Sequence, residues 1–406
     1  MAEKNKGLIL ASGQESFWPH VGPIVFLAGI FLINFVARIV LSPLLPAIER
    51  ELEMSHTQAG LLFFLISGGY LVGLILSGFV AAGLTHKSTI VVSTAGTGAA
   101  LLASASASHL PLLQLGLCAL GFATGLYIPS AIATITAQID PRHWGKAISV
   151  HELAPNLGFF TAPFFAELFL RRGSWRAALA TLGAAAVAAA VLYARYGRGG
   201  EFAGISPRSS ALRLLVGLRS FWIMLLLFAW GISSTIGVYA MLPLYLVSER
   251  QITPSWANAL VAFSRSYGPV LGVFGGWVTD RLGVKRTLVV SLTFTGALSF
   301  LLGPASDRWL AVVVLLQPLL AVWFFPAGFA ALARITPPQA RNLAVSFAVP
   351  FGFLVGAGLI PTLIGRMGDA GSFALGFSIT GALILSGAGL ALLLQVPGER
   401  QAGELS

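Results

Sequence analysis

Long apolar stretches separated by short polar or Pro/Gly-containing breaks recur along the whole chain. They fall at about 20–46, 57–82, 89–107, 112–136, 147–170 and 175–196, and again at about 220–248, 256–279, 287–305, 309–333, 344–366 and 372–396. A bilayer-spanning helix needs about 20 mostly apolar residues, so each stretch is predicted as one transmembrane helix. The pattern divides the chain into a tail over 1–18, a first six-helix bundle over 19–196, a polar linker over 197–219, a second bundle over 220–396 and a tail over 397–406. Local signals agree: Ser55-His56-Thr57-Gln58 reads as a capping box opening the second helix, and Thr253-Pro254 as a cap with an N1 proline opening the eighth.

Composition turns this pattern into a membrane assignment. Of 406 residues 56% are hydrophobic and 10% charged, with mean hydropathy +0.84, against about 25% charged in soluble chains. The net charge of +10 follows alternate loops, which excludes nucleic acid as the reason for it. With the N-terminus placed inside, sixteen of the 25 Lys and Arg fall in inner loops and tails, seven in outer loops, and two, Arg38 and Arg265, inside spans. A multi-pass protein of the cell membrane, in bacteria the inner membrane, with both termini cytoplasmic is expected. Lys4 and Lys6 precede only a short apolar run, so residues 1–18 are predicted as a cytoplasmic tail rather than a signal peptide.

Several chemistries drop out. Cys118 is the only cysteine, which excludes an internal disulfide and a thiolate cluster. No ATP-binding loop, H-E-x-x-H motif or nucleophile elbow occurs, so neither enzyme activity, a metal nor a cofactor is expected. The expected partners are the lipid bilayer and a small solute, with protons as a candidate coupling ion and a monomer as the working state.

The two sets of helices repeat at a constant offset of 197 residues: Pro46 falls on Pro243, Ser67 on Ser264, Tyr70 on Tyr267, Gly78 on Gly275, Pro129 on Pro326, Pro141 on Pro338 and Ser149 on Ser346. Composition alone would not keep prolines and glycines in register, so the bundles are read as a duplication. Parallel repeats of this kind build a midplane site between halves.

After the eighth stretch the chain reads Gly275-Gly276-Trp277-Val278-Thr279-Asp280-Arg281-Leu282-Gly283-Val284-Lys285-Arg286. This resembles the G-x-x-x-D-R-x-G-x-[KR]-[KR] loop signature of the major facilitator superfamily. The resemblance implies an all-α integral membrane fold of twelve transmembrane helices in two pseudo-symmetric six-helix bundles, and a secondary transporter. It also places this loop, with Gly275, Asp280, Arg281, Gly283, Lys285 and Arg286, at a cytoplasmic turn that gates the second half. At the equivalent place in the first half, the acid and arginine positions hold Gly83 and Leu84, which predicts a weaker gate there. Gly158, Ala162-Pro163 and Ala166 resemble a degraded form of the superfamily's antiporter packing motif. Leu117 stands where the family usually has an arginine.

An ionisable residue within a span is costly and therefore a functional candidate. Arg38 lies four residues from Asn34, so both project from one face of the first helix. Arg265 lies between Ser264 and Ser266, with Tyr267 beyond; its repeat-mate is Gly68. Two such arginines facing one cavity from opposite halves would bind a carboxylate or other oxyanion. Tyr127, Trp230, Tyr239, Gln317 and Trp323 are candidates for the cavity wall. His151 and Glu152, followed by Asn156, form a candidate proton-coupling site or gate, because histidine titrates near neutrality. The expected function is secondary transport of a small anion, an organic carboxylate or inorganic oxyanion, by alternating access with possible proton coupling. The alternative is a proton-coupled efflux antiporter for hydrophobic or cationic compounds, using Glu152 and keeping the arginines structural.

Overall fold

The computed structural model describes residues 18–204, 215, 217–337 and 341–396. Residues 1–17 of the predicted N-terminal tail, the predicted C-terminal tail, residues 205–214 and 216 of the predicted linker, and Pro338 lie outside the described residues. The described chain is helical, with the spans α1 (Val21–Glu51), α2 (His56–Gly83), α3 (His86–Ala105), α4 (Leu110–Gln138), α5 (Trp144–Leu170), α6 (Trp175–Tyr196) and α7 (Arg219–Ser248). Then follow α8 (Pro254–Ser264 and Gly268–Leu282), α9 (Val284–Leu301), α10 (Asp307–Ile335), α11 (Leu343–Asp369) and α12 (Phe373–Leu392).

Eleven of these helices are long and apolar enough to cross a membrane. The twelfth, α8, was predicted as one helix and is two, because Arg265 to Tyr267 form a turn and Pro269 supplies no amide hydrogen to continue the ladder. The same effect breaks α5 at Glu152, three residues before Pro155. Pro46, expected near the end of α1, lies inside a helix that continues to Glu51. α12 ends at Leu392, short of the predicted 396. The predicted capping box is present at Ser55, whose side chain accepts from Gln58 N while Gln58 accepts from Ser55 N; at α8 Pro254 occupies the first turn as predicted, but the Thr253 side chain makes no cap hydrogen bond.

α7 and α11 each contain a π-helical segment near mid-span, at Ser233–Gly237 and Phe353–Leu359. Such segments leave ladder groups displaced and commonly mark functional sites.

The two halves meet along α2/α11, α1/α7 and α5/α8. At the end that carries the α1–α2 and α11–α12 loops, Asp369 accepts from His56 N (2.8 Å), Thr57 N (2.9 Å) and Thr57 Oγ1 (2.5 Å), capping the start of α2 from the other half. Glu167 likewise accepts from Ser255 Oγ (2.5 Å) and Asn258 Nδ2 (3.4 Å) at the start of α8. Backbones approach so closely here that a Cβ on Gly60 would strike Pro361 O, and one on Gly365 would strike His56 O. The contact descends to Ser42 Oγ, which donates to Tyr239 O (2.7 Å), and to the Tyr70 and Phe353 rings, 5.0 Å apart.

At the opposite end, Gly283 has φ +85°, a backbone conformation that requires glycine. Arg281 lies over the Trp277 ring at 4.8 Å. Asp280 is exposed and makes no ion pair among the described residues. Gly275 admits Trp323 and Pro326 of α10. The first half, lacking the acid and arginine, holds its α2–α3 turn by other means. The chain leaving α6 returns to it, with Lys87 N donating to Gly200 O (2.8 Å), His86 N to Phe202 O (3.1 Å), Gly204 N to Ala81 O (2.8 Å), and Lys87 paired with Glu201 (3.2 Å). Nothing in the linear motif signals this strap.

Candidate functional site: two buried guanidiniums at mid-depth

Arg38 ends the first segment of α1 and is 7% exposed; Arg265 sits in the α8 break and is 5% exposed. Neither has a carboxylate within ion-pair distance among the described residues. Each keeps an Nε without a hydrogen-bond partner. Aromatic rings take the place of counter-ions. Arg38 lies over Tyr70 (4.3 Å), Phe35 (5.3 Å) and Phe353 (5.4 Å), and Arg265 over Phe159 (4.8 Å) and Tyr239 (5.3 Å). Arg265 Nη2 donates to Thr235 O in the α7 π segment (2.9 Å). Ring faces stabilise a cation by about 1–2 kcal/mol each, which lowers the cost of burial without neutralising the charge as an anion does.

Arg38 borders a cavity of about 20 Å³, near the size that holds one water. Ser67 and Tyr70 are its other polar walls; Phe35, Phe63 and Ile66 from the first half face Ile236, Phe353 and Ala357 from the second. The expectation that both arginines face one cavity is therefore corrected: Arg265 does not line this space. The Phe35–Phe159 and Phe159–Tyr239 ring pairs, each 5.0 Å, stand between the two guanidiniums. Both nonetheless abut α7, since Ile236 borders the Arg38 cavity and Thr235 receives Arg265.

Other expected wall residues are committed elsewhere. Tyr127 belongs to a separate buried cluster, its hydroxyl donating to Leu27 O (2.6 Å). Gln317 donates to Ser234 O (2.8 Å) and lies 3.0 Å from Ser299 Oγ, bracing the α7 π segment rather than facing a solute. Trp323 donates to Leu271 O (3.2 Å), tying α10 to α8. Trp230 packs over Gly387 of α12 with its indole N–H unpartnered. Ser264 donates to Val261 O (2.7 Å) and Tyr267 to Leu315 O, both within the second half. Asn34 donates weakly to Thr124 O (3.3 Å) and leaves Oδ1 unpartnered. Tyr239 keeps an unpartnered hydroxyl beside Arg265. Phe35, Phe63, Ser67, Tyr70 and Phe353 were not anticipated; the repeat register, which pairs Ser67 and Tyr70 with Ser264 and Tyr267, was the available signal.

His151 is fully buried, stacked on Phe31 at 4.5 Å, with Nε2 3.2 Å from Tyr127 Oη and Nδ1 3.3 Å from Glu152 Oε1. The Glu152 side chain is 50% exposed. Asn156 donates to Glu152 O (3.4 Å) and faces Gly268 across the α5/α8 crossing. Gly158, Ala162 and Ala166 serve close packing, since a Cβ on Gly158 would press on Phe35 and both alanines are fully buried. Leu117, in place of the family's arginine, is a core residue.

Comparisons with known proteins agree with this architecture. The chain resembles the "Probable sulfoacetate transporter SauU" of Cupriavidus necator, 24% identical over 88% of this chain and 90% of that one. It resembles the "MFS-type efflux pump" of Mycolicibacterium smegmatis, 25% identical over 97% and 92%. The solved structure of a bacterial homolog of the human lysosomal transporter Spinster, in an inward-facing and occupied conformation, superposes with a TM-score of 0.75 at 17% identity, covering 94% of this chain and 97% of that one. The model of the Major Facilitator Superfamily matches residues 27–274 and 260–405. With twelve helices in two related bundles, this chain belongs to the Major Facilitator Superfamily of transporters.

Proposed function

We propose that this transporter carries a small organic anion, a carboxylate or sulfonate with a compact apolar body, by alternating access. The observation that carries the reading is the pair of buried, carboxylate-free guanidiniums beside the seam between halves. An uncompensated charge within a span costs about 2.5–3.5 kcal/mol even on the most lenient scale. A bound oxyanion offsets that cost and uses the free Nε donors. The apolar rings around Arg38 suit a solute whose non-charged part is small and carbon-rich. The likeness to a protein named as a sulfoacetate transporter supports the same class.

With the α2–α3 loop end placed in the cytoplasm by its basic residues, the seam sealed by Asp369 and Glu167 faces outward, and the solute would leave inward. Uptake into proteoliposomes of a panel of carboxylates, sulfoacetate, sugar acids, nitrate and phosphate tests the reading. Uptake of at least one member should fall at least tenfold in Arg38→Ala and in Arg265→Ala. Unchanged uptake in both removes the anion site.

A second reading, proton-coupled efflux of hydrophobic compounds, draws on the half-exposed Glu152 and the likeness to an efflux pump. Cationic cargo is disfavoured by two guanidiniums at the site. Drug resistance conferred on a sensitive host and abolished by Glu152→Gln would select this reading instead.

A further inference from the structure

We infer that His151 and Glu152 together hold one transferable proton, and that the conformation seen here is the loaded one. The argument is hydrogen-bond accounting. Tyr127 has a single O–H, and it is donated to Leu27 O at 2.6 Å. Its oxygen can therefore only accept from His151 Nε2 at 3.2 Å, which fixes a hydrogen on Nε2. Nδ1 of a neutral ring is then a bare lone pair, and it faces Glu152 Oε1 at 3.3 Å. Two lone pairs repel at that distance, so a proton lies between them, as imidazolium with carboxylate or imidazole with carboxylic acid.

The pair is built for exchange with one side only. His151 is fully buried against Phe31 and Tyr127, while half of the Glu152 side chain is exposed. Among the described residues, no lysine or arginine pairs with Glu152, so the carboxylate has His151 as its cationic partner. The other titratable groups around the pair are Tyr127 on α4, Tyr70 on α2, which is within electrostatic reach of Glu152, and Tyr193 on α6 beside Tyr127. Arg38 lies further along α1, and Lys146 is on α5 itself. The tyrosines keep their own O–H hydrogens, so the exchangeable proton is the one between His151 and Glu152. Release sends the proton from Glu152 to water, leaving neutral His151 with its Nε2–H still donated to Tyr127 and Glu152 as a carboxylate.

The proton site stands on its own geometry; its coupling to a solute rests on the carrier reading above. The first measurement therefore uses no solute. In purified protein with nitrogen-15 histidine, assigned by loss of the signal in His151→Gln, Nε2 of His151 stays protonated from pH 8 to pH 5, and infrared difference spectra over that range show one carboxyl or imidazole transition that disappears in Glu152→Gln. Tyr127→Phe, which keeps the ring stack, releases the tautomer to a mixture. A bare Nε2, or a transition that survives in Glu152→Gln, overturns the assignment. In proteoliposomes, Glu152→Gln is expected to lose stimulation of anion uptake by a pH gradient at least tenfold while keeping anion counterflow. Absence of counterflow in the unmodified protein refutes the carrier reading and leaves the titration result intact.

Discussion

Replacing Arg38 by methionine separates a functional arginine from a structural one by the sign of its effect. The guanidinium is 7% exposed and, among the described residues, has three rings but no carboxylate within ion-pair distance. Its cost in the span is about 3 kcal/mol, and the three rings, at about 1 kcal/mol each, return about as much. Methionine fills similar space without the charge, so thermal stability of detergent-purified Arg38→Met should stay level or rise by about 1 kcal/mol. A structural arginine, with a partner left behind, would instead cost about 3–5 kcal/mol. Binding moves the other way. Loss of charge-assisted hydrogen bonds worth about 3 kcal/mol raises the Kd roughly a hundredfold. A carboxylate or sulfonate at one hundred times the Kd of the unmodified protein stabilises it by about 2.7 kcal/mol, and should stabilise the variant by only about 0.4 kcal/mol. Thermal unfolding with and without the ligand reads both quantities. A variant that melts far lower yet keeps the full ligand shift refutes the reasoning.

Arg265→Lys keeps the charge but loses the planar stack on Phe159 and Tyr239, so anion Kd should rise about tenfold in a binding titration. Gly60→Leu cannot fit beside Pro361 O, so it should prop the α2/α11 seam apart, and a cysteine placed there on a Cys118→Ser background should label faster. Asp369→Ala removes the cap on α2 and should cost about 1–2 kcal/mol in thermal stability. Gly283→Ala, at φ +85°, should cost about 1–3 kcal/mol while leaving anion Kd unchanged.

The spans were legible because the bilayer imposes one length and one polarity on each of them, and the duplication because glycines and prolines keep their places when apolar residues drift. The α8 break was less legible: an apolar window averages over Arg265 and Pro269, although each marks an interruption. The site was half legible. Arg38 and Arg265 stand out as charges in apolar runs, but Tyr127 and Gln317 do not reveal from sequence that their polar groups are already spent on Leu27 O and Ser234 O. The repeat also carries a relation between unlike residues. Adding the repeat offset of 197 to Arg38 lands on Thr235, whose carbonyl receives Arg265. Each half thus places a guanidinium where its first and second helices face one another, supplied by the first helix in one half and the second in the other.

One face of α1 joins the proposed proton pair to the proposed anion site. Phe31, Phe35 and Arg38 follow at helical spacing, with His151 stacked on Phe31 and the two phenyl rings 6.3 Å apart. The two sites need not touch to be coupled, because charge links them. Loading the His151–Glu152 contact with a proton removes one negative charge from the interior, and seating a monoanion against a buried guanidinium adds one. The doubly loaded interior therefore carries the same net charge as the empty one, while loading either alone shifts it by a unit in a medium that screens poorly. On the proposed reading, rocking of the halves about α7, where both arginines abut the π segment, would be easiest for the empty and the fully loaded protein, which is the condition for symport rather than leak.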